Sequence, residues 1–167
     1  MSDQGRLDRV EAELAIRNVI SRYGMAADCG DVKTALSCHT HDALYIVSNP
    51  RAGRDGNVGD LELRGHKAIT EMLTSEMHQS LLPDCAHTVG PLLVETEGTR
   101  AHVTGYSRVY HEQKLMRLAI NHWTMAIDDG RWKIAKRESR DMGEEAAQNL
   151  LKQSLNTETF DGLYGDF

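Results

Sequence analysis

The sequence predicts an α+β domain in which helices come first along the chain and an antiparallel sheet follows. Two observations carry this prediction. Apolar residues recur at helical spacing in the N-terminal part of the chain, whereas long strand-like segments follow Pro83. Turn dipeptides, Glu97-Gly98 and Asp129-Gly130, separate two pairs of those segments. Elements segregated in this way pack with the helices on one face of a curved sheet.

The N-terminal elements follow from local patterns. A first helix is predicted from Leu7 to Ala27, because apolar side chains recur there every three or four residues. Gly30-Asp31 ends that helix, and a second, short helix is predicted over residues 32–38. Residues 43–47 (Ala-Leu-Tyr-Ile-Val) form a compact strand, which Asn49-Pro50 stops.

The remaining elements alternate between loop, helix and strand patterns. Residues 50–64 are rich in glycine and in alternating charges, which is typical of a loop, and a role as a flap over a pocket stays open. A third helix is predicted over residues 66–79 and a final one from Gly143 to Leu155, followed by a loosely held tail over residues 157–167. The predicted antiparallel strands are residues 85–95, 100–112, 115–128 and 131–140.

Length and composition indicate one globular domain. The 167 residues suffice for a sizeable core, and the hydrophobic and charged fractions of 40% and 26% are typical of soluble proteins. We expect the core to span about residues 7–141, with the last helix and the tail over residues 142–167. The cysteines lack the spacing of metal ligands, so we expect reduced core thiols and no metal site; they are Cys29, Cys38 and Cys85.

Charge and hydropathy exclude two classes of partner. A net charge of −6 without a Lys/Arg cluster argues against nucleic acid, because phosphate binding needs a basic surface. No apolar run reaches the roughly 18–20 residues that cross a bilayer, so no membrane association is expected. The N-terminus lacks the basic-then-apolar pattern of a signal peptide, which predicts a cytoplasmic protein.

Five polar residues lie in otherwise apolar or strand-like segments, where a polar group costs free energy unless it finds a partner. They are Tyr23, Asp28, His87, His111 and Asn121. They supply the parts of a cofactor-free acid/base site, namely a carboxylate to orient an imidazole, a second imidazole, a phenol and an amide. The residues alone leave an alternative open, in which Asp28 is a solvated helix end and His87 an ordinary strand histidine.

Helix geometry limits how two of these residues can act together. Tyr23 and Asp28 are five positions apart, which is about 140° around a helix axis. Both can reach one cavity only if that cavity wraps around the helix end. Among the other histidines, His39 and His41 are too few for a metal site and are predicted at a solvated helix end. Surface positions are predicted for His66, His78 and His102.

These residues, in this order, resemble the SnoaL-like branch of the nuclear transport factor 2-like superfamily. Residues 20–28 (Ile-Ser-Arg-Tyr-Gly-Met-Ala-Ala-Asp) are similar to the first helix of that family, and residues 84–88 (Asp-Cys-Ala-His-Thr) to its strand with a catalytic histidine. Residues 104–111 and 121–133 are similar to the scytalone dehydratase strands that carry a second histidine and a substrate-contacting asparagine. The position of Tyr23 follows the bile-acid dehydratases.

The resemblance implies a cone-shaped fold in which the sheet and the first helix enclose an apolar pocket. It implies that Asp28 orients His87 as a general base, and that His111 and Tyr23 complete the catalytic set. We assign substrate contacts to Asn121, Tyr45, Trp123 and Arg140. The implied activity is that of a cofactor-independent, dehydratase-like lyase acting on a small cyclic or aromatic, hydrophobic substrate and releasing water or formaldehyde. A homo-oligomer, dimer or trimer, is expected.

Alternatives remain open at this point. The same fold supports proton-shuttling isomerases of the ketosteroid isomerase type, as well as non-catalytic modules that bind ligands or other proteins. Tyr23 also fits a core residue with its hydroxyl at the rim, and Asn121 also fits an amide that only satisfies backbone groups. Arg140 also fits a surface charge.

Overall fold

A computed structural model describes residues 2–48 and 59–155. Its helices are α1 (Asp3–Asp28), α2 (Val32–Ser37), α3 (Gly65–Leu73), α4 (Glu76–Gln79) and α5 (Glu145–Leu155). Its strands are β1 (His39–Val47), β2 (Leu61–Arg64), β3 (Cys85–Glu97), β4 (Arg100–His111), β5 (Lys114–Asp128) and β6 (Arg131–Asp141). Within the described ranges, no helix combines the length and the apolar character needed to span a membrane.

The strands of the described ranges form one curved, open sheet in the order β2-β1-β6-β5-β4-β3. The last four strands are a continuous antiparallel meander, as the sequence predicts. In contrast to the predicted antiparallel sheet, β1 lies parallel to β6, with Tyr45 opposite Arg137. This pairing joins the first strand to the last, so local patterns do not encode it. The predicted α+β fold class is confirmed, with a mixed sheet.

Two predicted segments have a different structure. Residues 61–64 lie in the predicted loop but form β2, which pairs antiparallel with β1. Residues 50–58 of that loop lie outside the described residues, so the flap predicted for residues 50–64 stays a prediction. The predicted helix over residues 66–79 is interrupted at Thr74, because the Ser75 hydroxyl accepts a hydrogen bond from the backbone N–H of His78 and starts α4 as an N-cap. The predicted tail over residues 157–167 also lies outside the described residues.

Helix α1 packs on one face of the sheet, here called the concave face. Its buried apolar positions Ile16, Ile20 and Ala27 recur at helical spacing and contribute to the main core with Trp123. The opposite, convex face carries α5, whose buried apolar residues pack on Ile120. The apolar side chains at the start of α1 stay exposed; they are Leu7, Val10 and Leu14.

The cysteines are free thiols. Cys38 and Cys85 are buried as predicted, whereas Cys29 is exposed, which contradicts its assignment to the core. Cys29 follows the last residue of α1, where the helix ends at the surface.

Candidate functional site

The carboxylate of Asp28 contacts the imidazole of His87 where the end of α1 meets the edge strand β3. Asp28 Oδ1 lies 2.5 Å from His87 Nδ1, and Asp28 Oδ2 accepts a hydrogen bond from the backbone N–H of His87 at 2.8 Å. Because an ionised carboxylate can only accept, Nδ1 carries the proton of this hydrogen bond, and in the neutral ring Nε2 is then the nitrogen with the free lone pair. One carboxylate therefore fixes both the backbone and the tautomer of His87.

A glycine on α1 permits this contact. A Cβ atom at Gly24 would lie 3.2 Å from the backbone oxygen of His87 and 3.6 Å from its Cβ. The absence of a side chain at Gly24 lets the helix approach β3 closely, one turn before Asp28. The carboxylate also satisfies a backbone N–H at the edge of the sheet, which would otherwise lack a strand partner.

Two further residues, Cys85 and His78, adjoin this pair. Cys85 Sγ lies 3.7 Å from His87 Nδ1. Burial, followed by the nearby Asp28 charge, raises the pKa of the Cys85 thiol to about 11, which keeps it neutral at pH 7. Since Cys85 and His87 are two positions apart in a strand, alternation was a signal for their common face.

His78 is buried, so its predicted surface position is wrong. Its Nε2 donates to the backbone oxygen of Ala27 at 3.2 Å, and its ring stacks on that of His87 with 6.3 Å between centroids. The helix break before α4 turns this residue toward α1, which the periodicity of the segment does not reveal.

His111 lies on the same face of the sheet as the pair. It is the register partner of Cys85, and the register partner of His87 is Val109, two positions before His111. Side chains directly opposite in an antiparallel pair share a face, and diagonal neighbours lie about 7–8 Å apart. Among the described residues no hydrogen bond joins His111 to His87. The structure therefore places His111 beside the pair without making it part of the pair.

Tyr23 faces a second group of side chains, on the β1 side of α1. Its ring meets that of His39 edge-on at 4.8 Å between centroids and that of Tyr45 at 6.0 Å. This direction agrees with the 140° that separates Tyr23 from Asp28 on the helix. The structure thus assigns the two residues to adjacent clusters rather than to one contact.

His39 is a buried residue of β1, so the predicted solvated helix end is wrong for this residue. Its Nδ1 donates to the backbone oxygen of Ala35 at 2.8 Å, and its Nε2 accepts a short hydrogen bond from the hydroxyl of Tyr45. Burial lowers the pKa of His39 to about 4, with the charge of Arg137 acting in the same direction. The imidazole is neutral at pH 7. His41, two residues on, is exposed.

Arg137 joins this group and was missed by sequence reasoning. Its guanidinium carbon lies 5.4 Å from the centroid of the Tyr45 ring and 5.9 Å from that of Trp123. Its Nε donates to Asn121 Oδ1 at 2.9 Å, and Asn121 Nδ2 donates to Ser107 Oγ at 2.7 Å. We call Tyr23, His39, Tyr45, Arg137, Asn121, Ser107 and Trp123 the aromatic–arginine cluster. Asn121 thus satisfies side chains rather than backbone groups.

Arg140 lies on the convex face, on the opposite side of the sheet from the Asp28–His87 pair, and its contact with substrate stays a prediction. Strand alternation places Ser139 on the concave side and its neighbour Arg140 on the other. The guanidinium of Arg140 makes ion pairs with Asp60 at 2.7 Å and with Glu138 at 2.9 Å. Both faces of β6 carry charged residues, so the sequence does not indicate whether Arg137 or Arg140 points toward the concave side.

The interior differs from the apolar pocket that the resemblance implies, because the aromatic–arginine cluster occupies it with polar and aromatic groups. Two depressions among the described residues, of about 460 and 660 Å³, lie elsewhere: on the convex face beside α5, and between α1 and the β5–β6 turn. A substrate can reach the Asp28–His87 pair from solvent at the β3 edge of the sheet, because the two side chains are 20% and 25% exposed.

Comparisons with known proteins agree with this architecture. The model of the SnoaL-like domain matches residues 8–138. An NTF2-like protein with a cystatin-like fold from Novosphingobium aromaticivorans is 30% identical, with a TM-score of 0.77 over 89% of this chain and 94% of that one. No curated protein sequence matches this chain.

Two further solved structures share the fold at lower identity. A provisionally named scytalone dehydratase from Novosphingobium aromaticivorans is 18% identical, with a TM-score of 0.63 over 85% of this chain and 89% of that one. A hexachlorocyclohexane dehydrochlorinase from Novosphingobium barchaimii is also 18% identical, with a TM-score of 0.64 over 82% of this chain and 90% of that one. The domain match and the 30% identical structure together show that this chain belongs to the SnoaL-like family of the nuclear transport factor 2-like superfamily.

Proposed function

We propose that the protein is a cofactor-independent lyase that eliminates water, or another small fragment, from a small cyclic or aromatic substrate. The observation that carries this proposal is the double contact of Asp28 with His87, through the ring at 2.5 Å and the backbone at 2.8 Å. It holds a partly exposed imidazole with Nδ1 on the carboxylate, so that Nε2 of the neutral ring can accept a proton. This is the arrangement of a general base oriented by a carboxylate.

In the proposed reaction, His87 Nε2 removes a proton from a carbon next to a carbonyl or aryl group. The electron pair of that C–H bond forms the new double bond, and the carbon–oxygen bond to the hydroxyl breaks. The hydroxyl leaves as water with a proton from His87 or His111. Asp28 stabilises the imidazolium formed between the two steps, and positioned proton transfer of this kind contributes about 10²–10⁴ in rate.

The aromatic–arginine cluster supplies a place for the substrate's oxygen atoms. Tyr45 and Trp123 are both 1% exposed, so they form the wall behind Arg137 rather than touching the substrate themselves. Arg137 is partly exposed as a residue, and its guanidinium contacts aromatic rings and an amide oxygen but no carboxylate among the described hydrogen bonds and ion pairs, so its positive charge can serve a carbonyl, phenolate or developing enolate. Asn121 holds the guanidinium through its amide oxygen, and Tyr23 packs on the Tyr45 ring that the guanidinium contacts.

The fold relatives support the class of reaction. One bears the name of a dehydratase and another that of a dehydrochlorinase, both of which are eliminating enzymes. Loss of formaldehyde from a hydroxymethyl group is a second version of the proposal: the base takes the hydroxyl proton, the C=O bond of formaldehyde forms as the C–C bond breaks, and the electron pair of that bond passes to the neighbouring carbonyl or aryl group, which the imidazolium reprotonates.

A non-catalytic binding or interaction module is the second candidate function. The mutual contacts of the aromatic–arginine cluster are compatible with it, because they satisfy Tyr23, Tyr45, Trp123 and Arg137 without a bound substrate. The Asp28–His87 pair distinguishes a lyase from a binding module, because a non-catalytic module does not need an imidazole oriented as a base.

The test is mass analysis of a panel of aryl alcohols and β-hydroxy carbonyl compounds incubated with the purified protein. A lyase lowers the substrate mass by that of water or formaldehyde, whereas an isomerase leaves it unchanged. Asp28→Asn and His87→Gln should lower turnover by about 10²–10⁴. His102→Gln, an exposed histidine on the convex face, is the matched control and should keep full turnover. Full turnover in His87→Gln would refute the proposal.

A further inference from the structure

Asp28, Cys85 and His87 bring three different metal-ligand types to one point. The carboxylate, the thiol and the imidazole Nδ1 each offer one ligand atom, and these atoms all lie within 4.8 Å of one another. Cysteine sulfur, histidine nitrogen and carboxylate oxygen are the ligands that Zn²⁺ takes in proteins, and three protein ligands leave its fourth position open. We propose that these three residues form a Zn²⁺ site, and that occupancy of this site switches off His87 as a base.

The distances suit a tetrahedral ion. Zn–S and Zn–N bonds of about 2.3 and 2.0–2.1 Å at a tetrahedral angle separate sulfur from nitrogen by about 3.6 Å. The observed distance from Cys85 Sγ to His87 Nδ1 is 3.7 Å. The carboxylate must retreat from 2.5 Å to about 3.3 Å from Nδ1 to make room for the ion. A small rotation of the Asp28 side chain, which is 20% exposed, provides this.

The sequence predicts no metal site because its cysteines and histidines lack ligand spacing. The fold brings the three ligands together although they are not spaced as ligands in the sequence, because Asp28 lies at the end of α1 and Cys85 and His87 lie on one face of β3. The described residues contain a second close pair of donors, His102 Nδ1 and His122 Nε2, 3.2 Å apart on the convex face. That pair offers two nitrogens rather than three mixed ligands, so it serves as a comparison site.

The consequence for the base follows from the tautomer, and this step rests on the proposed function. A metal ion on Nδ1 takes the position of the Nδ1 proton, and the neutral ring then carries its proton on Nε2. The Cys85 thiol binds as thiolate and gives its proton to solvent, with no change of oxidation state. Nε2 no longer has a free lone pair, so proton abstraction stops while the ion is bound.

Titration of the full-length protein with Co²⁺ tests the binding step, because thiolate ligation gives a charge-transfer absorption that oxygen and nitrogen ligands do not. We expect one Co²⁺ per chain, a thiolate charge-transfer band, and loss of the band when Zn²⁺ is added in competition. Cys85→Ser should abolish the band, and Asp28→Asn or His87→Gln should weaken binding by roughly tenfold or more. Each variant is first checked for native circular dichroism.

The controls are Cys29→Ser, which removes the exposed thiol, and His122→Gln, which removes the comparison site. Both should bind Co²⁺ as the wild type does. A missing band, or a band that survives Cys85→Ser, overturns the metal site. Because the readout does not involve turnover, a band without any lyase activity would contradict only the proposed function. Lyase activity without a band would contradict only the metal site.

Discussion

Replacing His39 by glutamine should remove most of the acid sensitivity that this imidazole gives to the folded chain. His39 is 1% exposed, and both ring nitrogens are in use, with Nδ1 donating to Ala35 and Nε2 accepting from Tyr45. A second proton would place an unsolvated charge in the core and displace the Tyr45 bond. Burial accordingly lowers the pKa of His39 from 6.5 to about 4.

The size of the effect follows from the two pKa values. The unfolded chain binds a proton on this imidazole below about pH 6.5, whereas the folded chain binds it only below about pH 4. Acid therefore favours unfolding, and stability falls as the pH drops through this window. The full loss is about 3 kcal/mol, and about 2 kcal/mol is already lost at about pH 4.5. This is a large share of the roughly 5–15 kcal/mol that stabilises a typical domain.

Urea unfolding of the wild type and His39→Gln at about pH 7 and pH 4.5 measures this difference. We expect the wild type to lose about 2 kcal/mol more than the variant between the two pH values. His41→Gln, an exposed histidine on the same strand, is the matched control and should follow the wild type. Equal losses in the wild type and His39→Gln would refute the reasoning.

Three further outcomes are expected. Gly24→Ala should favour the helix by about 1 kcal/mol and yet lower turnover, because the added Cβ pushes α1 away from β3 and loosens the contact of Asp28 with His87. Unchanged turnover with native stability would contradict this expectation. Arg137→Met should raise KM for substrates with an oxygen substituent, measured against Arg137→Lys, and an unchanged KM would argue against a substrate role. The third outcome concerns the exposed apolar residues of α1, which are Leu7, Val10 and Leu14. If they form the interface of a homo-oligomer, their replacement by glutamine should give a monomer in light scattering, and an unchanged mass would exclude this interface.

Local patterns predict the meander and the faces of its residues well. Turn dipeptides mark the β3–β4 and β5–β6 hairpins, and strand alternation gives Asn121 the same face as Trp123, which lies in the main core. Helix geometry correctly separates Tyr23 from Asp28. These predictions hold because each depends on residues that are close in sequence.

The errors concern contacts between distant segments. The β1–β6 pairing puts Arg137 opposite Tyr45, and nothing in the charge pattern of β6 distinguishes Arg137 from Arg140. His39 was assigned to a helix end because β1 starts directly after α2, without a loop. The contact of Asp28 with His87 also joins distant segments, and the family resemblance, rather than any local pattern, led to its prediction.

Nitrogen NMR of the His87 ring tests the central claim most directly, because it reports which nitrogen carries the proton and needs no substrate. We predict that Nδ1 is protonated and Nε2 is not, and that Asp28→Asn shifts the proton toward Nε2, since the amide can donate to Nδ1. A wild-type ring with its proton on Nε2, or a ring that Asp28→Asn leaves unaltered, would contradict the account.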